Sequence, residues 1–358
     1  MPAKGNKPAR YLGLHHPAWL KARALLHESD VSIPLSVRVL YGWRSRLFTL
    51  AWRARAPIGQ QTAVAAFVCG FWRSGTTLLH ECLALDPRWR APTTQECMNP
   101  GQPPIARASR STLRPMDNLR IDANSPQEDE FGMLAIGAPS FYRVLLCPGA
   151  WATLLEELQE GAAAASWPER TRALLEFLSY VQSADSRPLL LKSPTHAFCM
   201  PDLLELFPEA SAVIIIRDWR AVWLSCQRMW RAMFELYAIG PWTQETIADL
   251  TTAAYRAYAV QLERQCSRFP VGRVVALRHE DLVSCPVETL RALAARLGAT
   301  GYRPEEAPIR KLLADTRPDP RTDSDASGTA PANDLGPELA ECYRKVQESV
   351  AKVLVVPT

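Results

Sequence analysis

Residues 63–81 read AVAAFVCGFWRSGTTLLHE: a short apolar run, two glycines five positions apart, then two threonines opening a stretch with helical spacing. The apolar run ending in Gly70, the turn closed by Gly75 and the pattern Leu78, Leu79, Cys82, Leu83 predict strand, loop and helix in succession. In such a unit consecutive backbone N–H groups point inward and the helix N-terminus adds positive partial charge, so an oxyanion is held with few side chains. The nucleotide-triphosphate version of this loop ends G-K-[ST], its lysine on the phosphates and its hydroxyl on magnesium. Here Gly75 is followed by Thr76 and Thr77, and the cation is Arg73. A forked guanidinium with hydroxyls suits a smaller anion better than a triphosphate with its metal.

Outward from this loop the chain keeps the same grammar. RPLLLK (187–192), SAVIIIRD (211–218) and RVVALR (273–278) are apolar runs of strand length, and helical spacing fills the stretches between them. Strands alternating with helices predict an α/β fold of P-loop-like type, three layers with a central parallel sheet flanked by helices. Residues 1–60 read as a helical extension packed on the core, 61–300 as the main domain, and 301–358 as a loop and helix completing it. Residues 90–150 are rich in Pro, Gly and Ser with few periodic runs, and irregular chain of that length is usually functional.

Composition narrows the function classes. Forty-one basic against 37 acidic residues leave a net charge of +4 in 358 residues, with no basic block that would suggest nucleic acid. The nine cysteines are odd in number and never in C-x-x-C spacing, so buried thiols are expected rather than a disulfide framework or a zinc site. No apolar run has the length of roughly 20 residues that a membrane span needs, and the N-terminus lacks a signal core, so a cytoplasmic chain is expected. Segment 36–55 mixes Trp43, Phe48, Leu50 and Trp52 with five arginines. It reads either as an interfacial helix making peripheral membrane contact or as a helix packed on the main domain with its arginines in water.

Two motifs carry a resemblance. GFWRSGTTLLHECLALDP (70–87) resembles the 5′-phosphosulfate loop of sulfotransferases that use 3′-phosphoadenosine 5′-phosphosulfate (PAPS), and VIIIRDWRAVWLSC (213–226) resembles their 3′-phosphate motif. The match is to the bacterial branch that also resembles tyrosylprotein sulfotransferases. The resemblance implies that Arg73, Ser74, Gly75, Thr76 and Thr77 cradle the 5′-phosphosulfate and that Arg217 and Ser225 hold the 3′-phosphate. It implies PAPS as sulfuryl donor and no metal. From the residues alone, Arg217 closes a buried strand, Asp218 is placed to cap the next helix, and Ser225 lies about two turns into it, roughly 10 Å along its axis.

Between these motifs stands LLLKSPTH (189–196). Lys192 sits at a strand's C-terminal end, where open parallel sheets bind their ligands, and a point cation there can neutralise charge on a leaving oxygen. By resemblance it is the active-site lysine. His196 is either a further contact or a cap of the following helix.

The base is less sharply marked. Sulfuryl transfer to a hydroxyl needs a proton acceptor within hydrogen-bond reach. The tyrosylprotein type uses a glutamate some twenty residues past the loop arginine, and Glu96, 23 residues after Arg73, is the first candidate. The acid cluster Glu128, Asp129, Glu130 in SPQEDEFGM follows, and His80 on the first helix is third. Trp72 and Trp219 stand where relatives often carry proline. No Arg-Lys-Gly triplet of the kind that closes over the 3′-phosphate is present, and Arg317 or Arg321 in the Pro/Asp/Ser-rich stretch 315–338 is the substitute by charge.

Trp43, Trp89, Phe131, Phe141, Tyr142, Trp151, Trp230 and Trp242 are the aromatics available to line an apolar acceptor cleft, for a small-molecule, lipid or glycan hydroxyl. The strand RVVALRHEDL (273–282) ends in acids like a Walker B element, but its acids are expected to brace loops. A P-loop small-molecule kinase and a non-catalytic nucleotide-binding protein on the same fold are the rival readings.

Overall fold

The computed structural model describes residues 12–55, 62–102, 112–114, 120–297, 305–315 and 337–354. Each predicted apolar run forms a strand: β1 is Val64–Cys69, and after a two-stranded antiparallel ribbon of β2 (Thr112–Leu113) and β3 (Arg120–Ile121) come β4 (Leu189–Lys192), β5 (Ser211–Ile216) and β6 (Val274–Arg278). The four main strands make one parallel sheet in the order β4-β1-β5-β6.

A parallel return needs a crossover, and the helices supply it. Helices α1 (His16–Glu28) and α2 (Leu35–Arg53) precede β1. Between β1 and β4 lie α3 (Thr76–Ala84), α4 (Thr94–Met98), α5 (Asp129–Ile136), α6 (Trp151–Glu160) and α7 (Trp167–Gln182). Helix α8 (Met200–Leu206) leads to β5, and α9 (Trp219–Tyr237) and α10 (Gln244–Gln265) lead to β6. Helices α11 (His279–Ser284), α12 (Pro286–Arg296), α13 (Glu306–Asp315) and α14 (Pro337–Val350) follow.

The sheet is buried on both faces because its strands are apolar at every register position but Lys192, Ser211 and Arg278 at their ends. Ala212, Ile214 and Ile216 of β5 face one layer, with Trp230 and Phe234 of α9 and Leu250 of α10. Val213 and Ile215 face the other, with Leu79 of α3, Leu290 of α12 and Ile309 of α13. Each such fully buried Val, Ile or Leu contributes about 1.5–3 kcal/mol. Trp19 of α1 and Tyr41 of α2 join the first layer, so the N-terminal helices belong to the same core. At the far end Leu354 bridges Ala276 of β6 in parallel.

Among the described residues the expected irregular stretch holds only short elements: α4, α5, the ribbon and 3-10 turns at Phe141–Leu145 and Pro148–Ala150. Seven of the nine cysteines are buried, and all nine are free thiols. Residues 316–336, with Arg317 and Arg321, lie outside the described residues. Parallel strands end on one edge, so the turn after β1, Lys192 at the end of β4, Arg217 after β5 and His279 after β6 share it.

Candidate active site

The turn from Gly70 to Gly75 has the backbone its sequence requires. Gly70 and Gly75 have φ of +154° and +106°, and Arg73 itself is left-handed at +68°. A Cβ on Gly75 would stand 2.4 Å from His279 Cδ2, and one on Gly70 would stand 2.6 Å from the Ile215 carbonyl oxygen. Strain at a non-glycine such as Arg73 persists where the surroundings impose it, a common property of ligand-binding turns. The Ser74 hydroxyl is buried with no hydrogen-bond partner among the described residues. An orphaned buried hydroxyl in a turn that opens a helix is the donor an incoming oxyanion would satisfy.

The second motif closes onto the first. Asp218 caps α9 as expected, accepting from the backbone N–H groups of Arg220 and Ala221 at 3.1 and 3.0 Å. That cap aims α9 so that Ser225 Oγ accepts from Arg73 Nε at 3.0 Å, while Arg217 Nη1 donates to the Arg73 carbonyl at 3.4 Å. Burial and the neighbouring Arg73 charge lower the Arg217 pKa, with Glu280 and Asp218 acting in the opposite direction. Two guanidiniums held this close favour an anion between them. Glu280 braces this corner by accepting from the Asp218 backbone N–H at 3.3 Å, the loop-bracing role expected of the acids after β6.

Lys192 is 1% exposed and donates to Glu128 Oε1 at 2.8 Å and to Thr77 Oγ1 at 3.4 Å, which ties it to the first turn of α3. The other Glu128 oxygen accepts from the Tyr142 hydroxyl, which in turn accepts from Trp72 Nε1 at 3.0 Å. Burial and the adjacent Glu128 charge push the Tyr142 phenol well above its usual range, so it remains a donor. Trp72 is thus an anchor: it packs on Phe141, Phe198 and Trp230 and supports the far end of the Lys192–Glu128 pair.

The neighbours of Glu128 and Lys192 pair in step. Asp129 accepts from Ser193 Oγ at 3.2 Å and lies 2.8 Å from His196 Nε2. Burial raises the Asp129 pKa, but the His196 contact and hydrogen bonds outweigh it and hold the carboxyl below its ordinary value. Glu130 is gripped by both terminal nitrogens of Arg170, at 3.0 and 2.7 Å, and accepts from Thr195 Oγ1 at 2.8 Å. Successive acids of 128–130 therefore dock on successive residues of 192–196. His196 is a buried partner of Asp129.

Two other candidate bases stand elsewhere. Glu96 completes the capping box of α4: its Oε2 accepts from the Thr93 backbone N–H and hydroxyl, both at 2.9 Å, and its Oε1 pairs with Arg90. The spacing Thr93-x-x-Glu96 is itself the capping-box signature, the signal that separates it from Glu128 in sequence. His80 is fully buried, contacts the Leu190 carbonyl oxygen at 3.1 Å, and has its pKa lowered to about 3 by burial and by Lys192. It is a neutral core histidine.

The aromatics do not line one cleft. Phe141, Tyr142 and Trp230 are buried behind the site, whereas Trp43 is 63% exposed on α2. Sequence reasoning passed over His279, whose ring walls the loop at Gly75 and whose pKa is lowered to about 4 by burial and Arg217, leaving it neutral.

The model of a family described as "Sulfotransferase family" matches residues 65–304, which include segments 70–87 and 213–226, Lys192 and Glu128. The chain belongs to the sulfotransferase family. Among its relatives are the omega-hydroxy-beta-dihydromenaquinone-9 sulfotransferases Stf3 of Mycobacterium bovis and Mycobacterium tuberculosis. Each is 32% identical over 257 residues, a match covering 70% of this chain and 66% of the relative's length. Among sulfotransferase structures, STF1 from Mycobacterium tuberculosis superposes with a TM-score of 0.62 at 16% identity, covering 95% of this chain and 94% of its own. STF9 from Mycobacterium avium gives 0.62 at 18% identity, covering 94% and 90%. These two share the α/β sulfotransferase fold.

Proposed function

We propose that the protein transfers a sulfuryl group from PAPS to a hydroxyl of an apolar, lipid-like acceptor. The carrying observation is the placement of the Lys192–Glu128 pair against Thr77 of the phosphate loop, with Arg73, Ser225 and Arg217 converging at the same edge. The donor supplies an activated sulfuryl group when bound. Residues 73–77 hold its 5′-phosphosulfate through backbone N–H groups, the Ser74 hydroxyl and the Arg73 guanidinium. Arg217 and Ser225 hold its 3′-phosphate, the group that distinguishes PAPS from ATP. Lys192 neutralises charge on the bridging oxygen, and Glu128 takes the acceptor's proton while Tyr142 keeps its carboxylate oriented.

The base is assigned to Glu128 over Glu96 because Glu128 meets Lys192 beside Thr77 of the loop, whereas Glu96 is held by the α4 cap and Arg90. A lipid-like acceptor is supported by the Stf3 relatives, whose name gives a hydroxylated dihydromenaquinone as their substrate.

The test is incubation with labelled PAPS and a lipid extract, followed by mass spectrometry for products heavier by one sulfonate. Glu128→Gln is expected to lower kcat by about 10²–10⁴-fold, the usual range for loss of a general base. Glu96→Gln is expected to cost about 1 kcal/mol of stability through the cap and to leave kcat within a few fold. A kcat collapse in Glu96→Gln with an active Glu128→Gln would move the base to Glu96.

A further inference from the structure

Helix α2 turns two unlike faces outward and inward. Tyr41, Ser45 and Trp52 are buried against the protein. On the opposite arc Leu35, Val39, Leu40, Trp43, Leu47 and Leu50 are all exposed, from 44% for Leu40 to 65% for Leu35. At 100° per residue these six fall within one arc of about 140°, shared with exposed Ser36 and Arg46, so they form a mainly apolar ridge along a helix of 19 residues, roughly 28 Å long. Apolar side chains of that size exposed in one row mark an interaction surface.

The edges of the ridge are basic. Arg46 and Arg53 are exposed along one flank of the same arc, and from Val31 to Arg55 there are five arginines and no acidic residue. Arg46 and Arg23 of α1 both act to lower the His16 pKa, behind burial as the main cause. An apolar stripe with arginines beside it, their stems along the stripe and their heads free to rise, is the arrangement that lies in a bilayer interface. No described helix is long and apolar enough to cross a membrane.

We infer that α2 is a docking helix that seats this protein on an anionic lipid bilayer, the ridge around Trp43 entering the headgroup boundary and Arg46 and Arg53 meeting lipid phosphates. A second copy of the chain is the poorer occupant. A two-fold interface through this ridge would set the arginines of one copy against the same arginines of the other. The inference rests on the helix alone and stands whether or not the transfer reaction is as proposed.

Co-sedimentation of the full chain with vesicles, in the absence of donor and acceptor, tests it. Binding is expected to phosphatidylcholine vesicles containing phosphatidylglycerol, falling as salt is raised, and to be far weaker with phosphatidylcholine alone. Trp43→Asp is expected to weaken binding about tenfold or more, because a charge replaces the deepest apolar group. Arg46→Gln with Arg53→Gln is expected to cost about fivefold per arginine on anionic vesicles only. All substituted side chains are exposed, so the far-ultraviolet spectrum should be unchanged. Absence of binding to anionic vesicles, or binding indifferent to both variants, overturns the inference. So does a solution mass of two chains that drops to one in Trp43→Asp, which assigns the ridge to a second copy.

Discussion

Replacing Lys192 by alanine is expected to lower kcat for sulfuryl transfer by about 10²–10³-fold, the range seen when one preorganised charge-stabilising donor is removed. The ammonium is held in place by Glu128 and Thr77 and Lys192 is 1% exposed, so low dielectric strengthens its effect on a developing negative charge. In the proposed function the donor's grip belongs to other groups, namely Arg73, Ser74, Arg217 and Ser225. Affinity for 3′,5′-diphosphoadenosine, read by titration calorimetry, should therefore stay within a few fold of the parent. Turnover equal to the parent's would remove Lys192 from the chemistry. Loss of nucleotide affinity in parallel with turnover would make it a binding residue instead.

The largest stability effect is expected at Glu130. Its carboxylate is fully buried and receives both terminal nitrogens of Arg170 together with hydroxyls of Thr195 and Ser140. Glu130→Gln keeps the shape but leaves Arg170 without its countercharge, at a cost of about 3–5 kcal/mol in urea unfolding. Burial raises the Glu130 pKa, and the Arg170 charge and these hydrogen bonds overcome that, holding it below its ordinary value of 4.5. The carboxyl is therefore more acidic in the native state than in the unfolded chain, where it is near 4.5. Its contribution is complete above that value and is lost as pH falls through the lower native one. The parent should accordingly lose stability more steeply than the variant in that acid window. Glu130→Leu combined with Arg170→Met should recover most of the loss, since a buried pair exchanged for apolar groups is often neutral. A double variant no better than the single one would show that pairing is not the source.

Much of the fold was legible because its signals are local. The β-branched run 211–216 can only be a strand buried on both faces, the glycines at 70 and 75 announce a tight turn, and an aspartate before a helical stretch announces the cap at 218. The turn at 70–75 and the capped helix start at 218 were legible for the same reason, each being a contiguous segment. The acid that meets Lys192 was not, since Glu96 and Glu128 both follow the loop at credible spacings and only the path of residues 90–130 decides between them. Trp72 and Tyr142 were hidden differently. Their part in the site is a relay of hydrogen bonds spanning 70 residues of sequence, and no local pattern encodes it.

The stepwise docking of residues 128–130 on 192–196 ties the chemistry to the mechanics of one seam. Glu128 cannot slide along Lys192 without Asp129 leaving Ser193 and His196 and Glu130 leaving Thr195 and Arg170. A partial displacement strands buried charge at every position at once, so placements short of full register are costly. Acid and lysine are thereby locked in phase, and a change that loosens one loosens both.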